Sequence, residues 1–213
     1  MARSHRQSGF STVELLAATA ISLVTLATAL SFNRFQLFAL RNQASQIDVQ
    51  TTARTIVDLF AREVRRAGMN PGCAIAAFSG IADAKLHSVR VQSDLNGDGV
   101  LTGPNEDLTY RYTDANTIER VDNTSGVADT LASGLTMSGS QLRYFDGTGA
   151  ELVPGGSGLT AAQRSTVRRI RIQLTLSGKA VDPNSTKPLT AQAATDVDLR
   201  NRFFVNSTAC PGS

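Results

Sequence analysis

Polar and apolar positions divide this chain into three stretches of different texture. The first nine residues are polar and basic, carry Arg3 and Arg6, and end on Gly9. An apolar run comes next, and from Leu15 through Asn33 no residue is charged. A helix needs ~20 apolar residues to cross a bilayer core, so residues 10–33 read as a membrane-spanning segment. Basic residues before the run favour a cytoplasmic leader with the rest of the chain across the membrane. Arg34 and Arg41 on the far side pull weakly against that orientation. Beyond the run, Leu37, Leu40, Ala44, Ile47, Ala53, Val57, Phe60, Val64 and Ala67 recur mostly at steps of three and four, which marks one face of an amphipathic helix. Arg41, Asp48, Arg54, Asp58, Arg62 and Arg65 occupy the other faces. No Gly or Pro interrupts residues 10–67, while Gly68 and Pro71 supply a stop. The pattern predicts one helix of roughly 87 Å at 1.5 Å per residue. Residues 10–33 lie in the membrane, and residues 34–67 pack on the C-terminal part of the chain.

Past Pro71 the texture changes to Gly, Asn, Asp and Ser between short alternating runs. Strands are expected over 86–93, 107–113, 117–122, 141–146, 167–176 and 197–206. In the fifth, Ile170, Ile172, Leu174 and Leu176 face inward, and Arg169, Arg171, Gln173 and Thr175 face outward. Thr160 reads as the N-cap of a short helix leading into it. The expected fold is α+β, a long N-terminal helix packed on an antiparallel β-sheet domain that occupies residues 68–213.

Charge and composition narrow the function. The formal net charge is +3, and removal of a leader carrying Arg3 and Arg6 brings it close to neutrality. The densest basic cluster in the strand-rich part, Arg168, Arg169 and Arg171, falls mostly on the solvated face of a strand. No nucleic-acid partner is expected, since such binding needs several phosphate contacts from a clustered basic face. With His5 in the leader, His87 is the one histidine left, and Cys73 and Cys210 are the only cysteines. That inventory argues against a zinc site or a Cys–His catalytic pair. Glu63, Asp107 and Glu119 stand in no grouping that suggests acid–base catalysis, so no enzyme is expected.

Glu14 is the anomaly in the apolar run. A carboxylate in a membrane helix costs about 2.5–3.5 kcal/mol at the centre, and so calls for a partner or a task. One reading places it near the headgroups at the first helical turn, where the helix dipole tolerates an anion. The surrounding residues add another. Gly9-Phe10-Ser11-Thr12-Val13-Glu14-Leu15-Leu16 resembles the type IV prepilin cleavage and methylation motif. The resemblance implies cleavage between Gly9 and Phe10 by a prepilin peptidase, N-methylation of Phe10, and Glu14 fifth in the mature chain. It further implies that Glu14 pairs with the N-terminal amine of a neighbouring subunit during assembly. A buried cation and a buried carboxylate are each costly, and pairing offsets the cost. The competing reading is a secretory signal peptide with Ala27-Thr28-Ala29 before its cut. Glu14 would interrupt its apolar region, and the helical pattern runs straight through that cut.

The helix-closing segment 60–68, the Asn/Gly/Asp loop and Leu199-Arg200-Asn201-Arg202 extend the resemblance towards PilW-like minor pilins and J-type pseudopilins. Many major pilins carry a kinking Pro in the span, and this chain has none. The resemblance implies a single-pass protein of the bacterial inner membrane with a periplasmic C-terminal domain, passing later into a pilus or pseudopilus. Its implied partners are the prepilin peptidase, other minor and major pilins, the inner-membrane assembly platform and membrane lipid. Three functions stand as expectations: a minor pilin that primes or caps a type IV pilus, a pseudopilin of type II secretion, or a membrane-anchored calcium-dependent binding module or adhesin.

The last of these rests on a loop. Asp94, Asn96 and Asp98, followed by Gly99, match the first ligand positions of an EF-hand-type calcium loop, with Glu106 one residue later than the usual twelfth position. No cofactor is required by anything else in the chain, and Ca²⁺ is the one candidate. The alternative is a hairpin loop rich in Asn-Gly and Asp-Gly turns. An even cysteine count in an exported chain permits a Cys73–Cys210 disulfide, against the alternative of two free thiols.

Overall fold

A computed structural model describes residues 11–75, 78–178 and 187–203. The architecture is α+β: a long N-terminal helix packed on antiparallel sheets. The helix, α1 (Thr12–Val64), has 53 residues and so spans about 80 Å. Ser11 starts it through a capping box, its Oγ accepting the Val13 N–H and its own N–H donating to Glu14 Oε2. Its far end closes where Gly68, at φ 81°, donates its N–H to Gln92 O at 2.9 Å. Gly80 lies flush against this end: a Cβ there would sit 2.2 Å from Gly68 N, so only glycine lets the returning chain pass.

Two sheets pack on the helix rather than the single sheet expected from sequence. The first has the order β1-β2-β3-β4-β5, a meander of Ile81–Ala84, Ser88–Gln92, Asp107–Thr113, Thr117–Asp122 and Val127–Ser133. The second has the order β7-β6-β8-β9, built from β6 (Gln141–Asp146), β7 (Glu151–Leu152), β8 (Val167–Gly178) and β9 (Leu189–Asp198). The capped helix α2 (Ala161–Thr166) feeds β8, as the Thr160 signal predicts. The expected strand 197–206 is corrected: β9 ends at Asp198 and a short helix, α3 (Arg200–Phe203), comes after it, while the residues after 203 lie outside the described ones. Ala, Thr and Gln dominate the first part of β9, and their weak alternation hides the strand. The sheets are joined at their corner, where Thr136 donates to Thr175 O at 2.9 Å and Ser177 to Gly134 O at 2.7 Å. That joint buries Thr175, which the alternating pattern had placed on the outside.

The core lies where the C-terminal part of α1 meets both sheets. Ala53, Ile56, Val57, Phe60, Val64 and Ala67 are buried together with Ile170, Ile172 and Leu174 of β8 and Tyr110 and Ile118 of the first sheet. Each fully buried large side chain of this kind is worth about 1.5–3 kcal/mol relative to exposure. The helical pattern also marked Leu37, Leu40 and Ile47, and these are 48%, 61% and 62% exposed. The domain therefore grips less of the helix than the periodicity implies, beginning where Gln46 Nε2 donates to Thr190 O and Val49 touches the core.

Candidate functional site

The bare half of α1 is the first feature that sets this chain apart from a soluble domain. It is the one described helix long and apolar enough to cross a membrane, and none of its most apolar window is buried against the rest of the described chain. Its hydroxyls do not hang free. Thr19, Ser22, Thr25, Thr28 and Ser31 each donate back to a carbonyl three or four residues earlier. Such back-bonding lets polar side chains sit in hydrocarbon without an outside partner. At the start of this half, the Glu14 carboxylate turns back along the helix to the Ser11 N–H at 3.0 Å. Gly9 and Phe10, the expected cleavage pair, lie outside the described residues.

The second feature is a buried polar cluster that the sequence pattern leaves ungrouped. Glu63 projects from α1 into the first sheet and is 8% exposed. Its carboxylate accepts the Tyr110 hydroxyl, Arg120 Nε at 2.9 Å and Arg120 Nη2 at 2.9 Å. Arg120 also donates to Asn105 Oδ1. Hydrogen bonding to Glu63 keeps the Arg120 guanidinium firmly protonated, and burial followed by the Glu63 charge pushes the Tyr110 phenol far above its usual range. One ion pair thus fastens helix, β3, β4 and the loop before β3. A signal for it was present: Glu63 falls three residues after Phe60 and four before Ala67, on the apolar face. A charge on that face needs a partner.

The loop from Asp94 to Glu106 is closed by its own acids. Asp94 is fully buried and accepts Gly97 N–H at 2.7 Å and Gly99 N–H at 3.1 Å. Glu106, 1% exposed, accepts from Leu95 at 3.0 Å, Asn96 at 3.3 Å and Gly103 at 2.7 Å. Asn96 and Asp98 bond to each other, Nδ2 to Oδ2 at 2.8 Å and Asp98 N–H to Asn96 Oδ1 at 2.9 Å. The four sequence-expected calcium ligands therefore spend their oxygens on backbone amides and one another. Among the described residues, no three of His, Cys, Asp or Glu converge on a point that could hold a metal ion.

The remaining expected residues are scattered over the domain. Arg169 and Arg171 lie on the outer face of β8 as the alternation requires, and each is paired across to β9, with Asp198 at 3.0 Å and Asp196 at 2.7 Å. The hydrogen bond from Arg171 holds the Asp196 carboxyl below its ordinary pKa. His87 faces the Tyr112 ring at 6.1 Å beside a shallow groove of about 520 Å³ that Lys85 and Arg111 also line. Cys73, at φ 57° in the turn Pro71–Cys73, is not a free thiol, and Cys210 lies outside the described residues. Asp107, an isolated acid by sequence, is buried and accepts from Arg90 Nε at 2.7 Å and Arg90 Nη2 at 2.5 Å.

No family model, no curated protein and no solved structure matches this chain.

Proposed function

We propose that this chain is a type IV pilin-like subunit, a minor pilin that contributes to pilus assembly through helix packing rather than catalysis. The observation that carries this reading is the form of α1: one unbroken helix whose apolar N-terminal half stands clear of the domain and whose C-terminal half is the domain's spine. A tether needs only a span. A helix that is continuous from Glu14 to Glu63 links the position of its membrane end to the folded domain. The Gly9-Phe10 and Glu14 motif supports the same reading, on which the protein resides in the bacterial inner membrane before assembly. Its partners on this reading are a prepilin peptidase, other pilins and the assembly platform.

The test is the mature N-terminus. Mass spectrometry of protein extracted from membranes is expected to find methylated Phe10 as the first residue. A mature chain beginning at Leu30, after the Ala27-Thr28-Ala29 sequence, overturns the proposal. A second arm replaces Glu14 with Ala: assembly should fail while the protein still inserts and folds.

A further inference from the structure

Asn96-Gly97 is the one Asn-Gly sequence in the chain, and it sits at an exposed loop tip. Gly97 has no side chain to shield its nitrogen and holds φ at 76°. Hydrogen bonds surround the pair, beginning with the Asn96 N–H, which donates to Glu106 Oε1 at 3.3 Å. The Gly97 N–H donates to Asp94 Oδ1 at 2.7 Å, and the buried Asp94 carboxylate is steadied by Gly99 N–H on its other oxygen. The Asn96 amide oxygen accepts the Asp98 N–H at 2.9 Å, and the Asn96 amide nitrogen donates to Asp98 Oδ2 at 2.8 Å.

We propose that this arrangement makes Asn96 a self-processing site, which converts to aspartate or isoaspartate in the folded protein faster than in the unfolded chain. The Gly97 nitrogen forms a bond to Asn96 Cγ as its proton passes to Asp94. The Asp98 N–H stabilises the oxyanion that develops on Asn96 Oδ1. The Cγ–Nδ2 bond then breaks, the proton is returned to the leaving nitrogen, and ammonia departs, leaving a five-membered succinimide. Water opens the ring at either carbonyl, giving aspartate or, with the main chain rerouted through the side chain, isoaspartate. Nothing is oxidised or reduced, and water is the only co-reactant. The loop supplies a base at the Gly97 N–H and a donor at the Asn96 oxygen, which together distinguish it from a bare Asn-Gly peptide.

The product changes the loop. A carboxylate at position 96 faces Asp98 where an N–H now donates, so an attractive contact becomes a repulsion between like charges. The loop rests on the turn after α1: a Cβ at Gly97 would lie 3.6 Å from Pro71 Cβ, and one at Gly99 only 2.8 Å from Ala74 Cβ. Conversion at Asn96 therefore acts as a one-way timer that loosens the seat of the loop on the end of the spine helix.

The experiment ages full-length protein in detergent micelles at neutral pH, beside the same chain unfolded in urea, and follows the peptide containing Asn96 by mass spectrometry. The folded chain is expected to convert at least about tenfold faster, a modest share of what a positioned base supplies. Asp94→Asn is expected to bring the folded rate down to the unfolded one, and Asn96→Gln to abolish the product. Exchange protection of the Leu95 and Gly103 amides, both held by Glu106, reports whether the loop survives in the Asp94 variant. Equal or faster conversion in urea overturns the proposal. So does an unchanged rate in an Asp94→Asn chain that keeps its loop protection.

Discussion

The two halves of α1 have the same backbone and different surroundings: one stands clear of the described domain and the other is packed in it. From Thr12 to about Gln46 nearly every side chain is exposed, and Leu15, Ile21, Leu23 and Leu26 each leave more than half their surface uncovered. From Ala53 to Val64 the same helix supplies the centre of the core, with Phe60 and Val64 at 0% exposure. Each half carries one notable glutamate. Glu14 is exposed and bonds to its own N-cap, while Glu63 is buried and holds Tyr110 and Arg120. The difference teaches that helix continuity and helix packing are separate properties. Absence of Gly and Pro maintains the first along the whole length. The second needs partner residues from distant strands and exists only where they arrive.

The sharpest way to break the comparison is to truncate one side chain that holds the packed half and one that belongs to the bare half. Arg120→Ala leaves Glu63 buried without a cation and is expected to destabilise the domain by about 3–5 kcal/mol. Thermal or urea unfolding of the detergent-solubilised protein measures it. Leu23→Ala, at an equally apolar but bare position, should leave that unfolding transition where it was. If the two variants melt alike, the ion pair is not what fastens the helix to the first sheet.

A charge reverses the asymmetry. Leu23→Arg is expected to cost about 2.5–3.5 kcal/mol in membrane insertion. Protein retained in membranes after carbonate extraction should fall, while the folded domain keeps its melting temperature. Retention equal to wild type would mean that residues 10–33 do not cross the bilayer.

Much of this division was legible from residue order alone. The apolar run, the unbroken helix, its stop within a turn of Gly68 and the inward row of β8 all come from local patterning. Four strands were missed: β1, β5 and β7 are four, seven and two residues long, with β5 almost wholly exposed, and β9 begins in a run of Ala, Thr and Gln, so all four lack a clear apolar alternation to detect. The Glu63 cluster was hidden for another reason. Its members lie 47 and 57 residues apart along the chain, and only the meander of the first sheet brings them together. The loop shows the converse. Asp-x-Asn-x-Asp-Gly has a metal-like spacing, and the same spacing also makes a loop of Asx turns. Sequence alone does not say which way the oxygens turn.

Acid should act on the folded domain through Asp107 of the first sheet. Burial opposes the charge on Asp107, but hydrogen bonds from Arg90, Gln92 and Asn123 outweigh it and hold its pKa below the ordinary 3.8. A depressed carboxylate contributes its stability fully above the unfolded value and loses it as pH falls through the folded one. Wild-type stability should therefore drop below about pH 4. Asp107→Asn, about 1–2 kcal/mol weaker at neutral pH, should show a shallower decline. Melting curves from neutral pH down to about pH 3 decide it. Parallel curves for the two proteins would show that Asp107 does not couple folding to protons.

The smallest expected effect lies at the other end of the helix. Ser11→Ala removes the acceptor for the Val13 N–H, and the cap as a whole is worth about 1 kcal/mol. Because this end stands clear of the described domain, the loss cannot spread through packing. It should appear as faster amide exchange over residues 12–15 in micelles, with the domain's melting temperature unchanged. The Ser11 backbone N–H that holds Glu14 is retained, but fraying of the first turn should let the Glu14 side chain sample positions away from the helix start. On the proposed reading that carboxylate must be directed towards a neighbour's amine, so the variant should assemble more slowly than wild type, and Ser11→Thr, which keeps an acceptor oxygen, should restore the rate. Assembly that is slowed equally by Ala and Thr would assign Ser11 a contact of its own. A shift in the domain's melting temperature would overturn the separation of the two halves at the point where it is easiest to test.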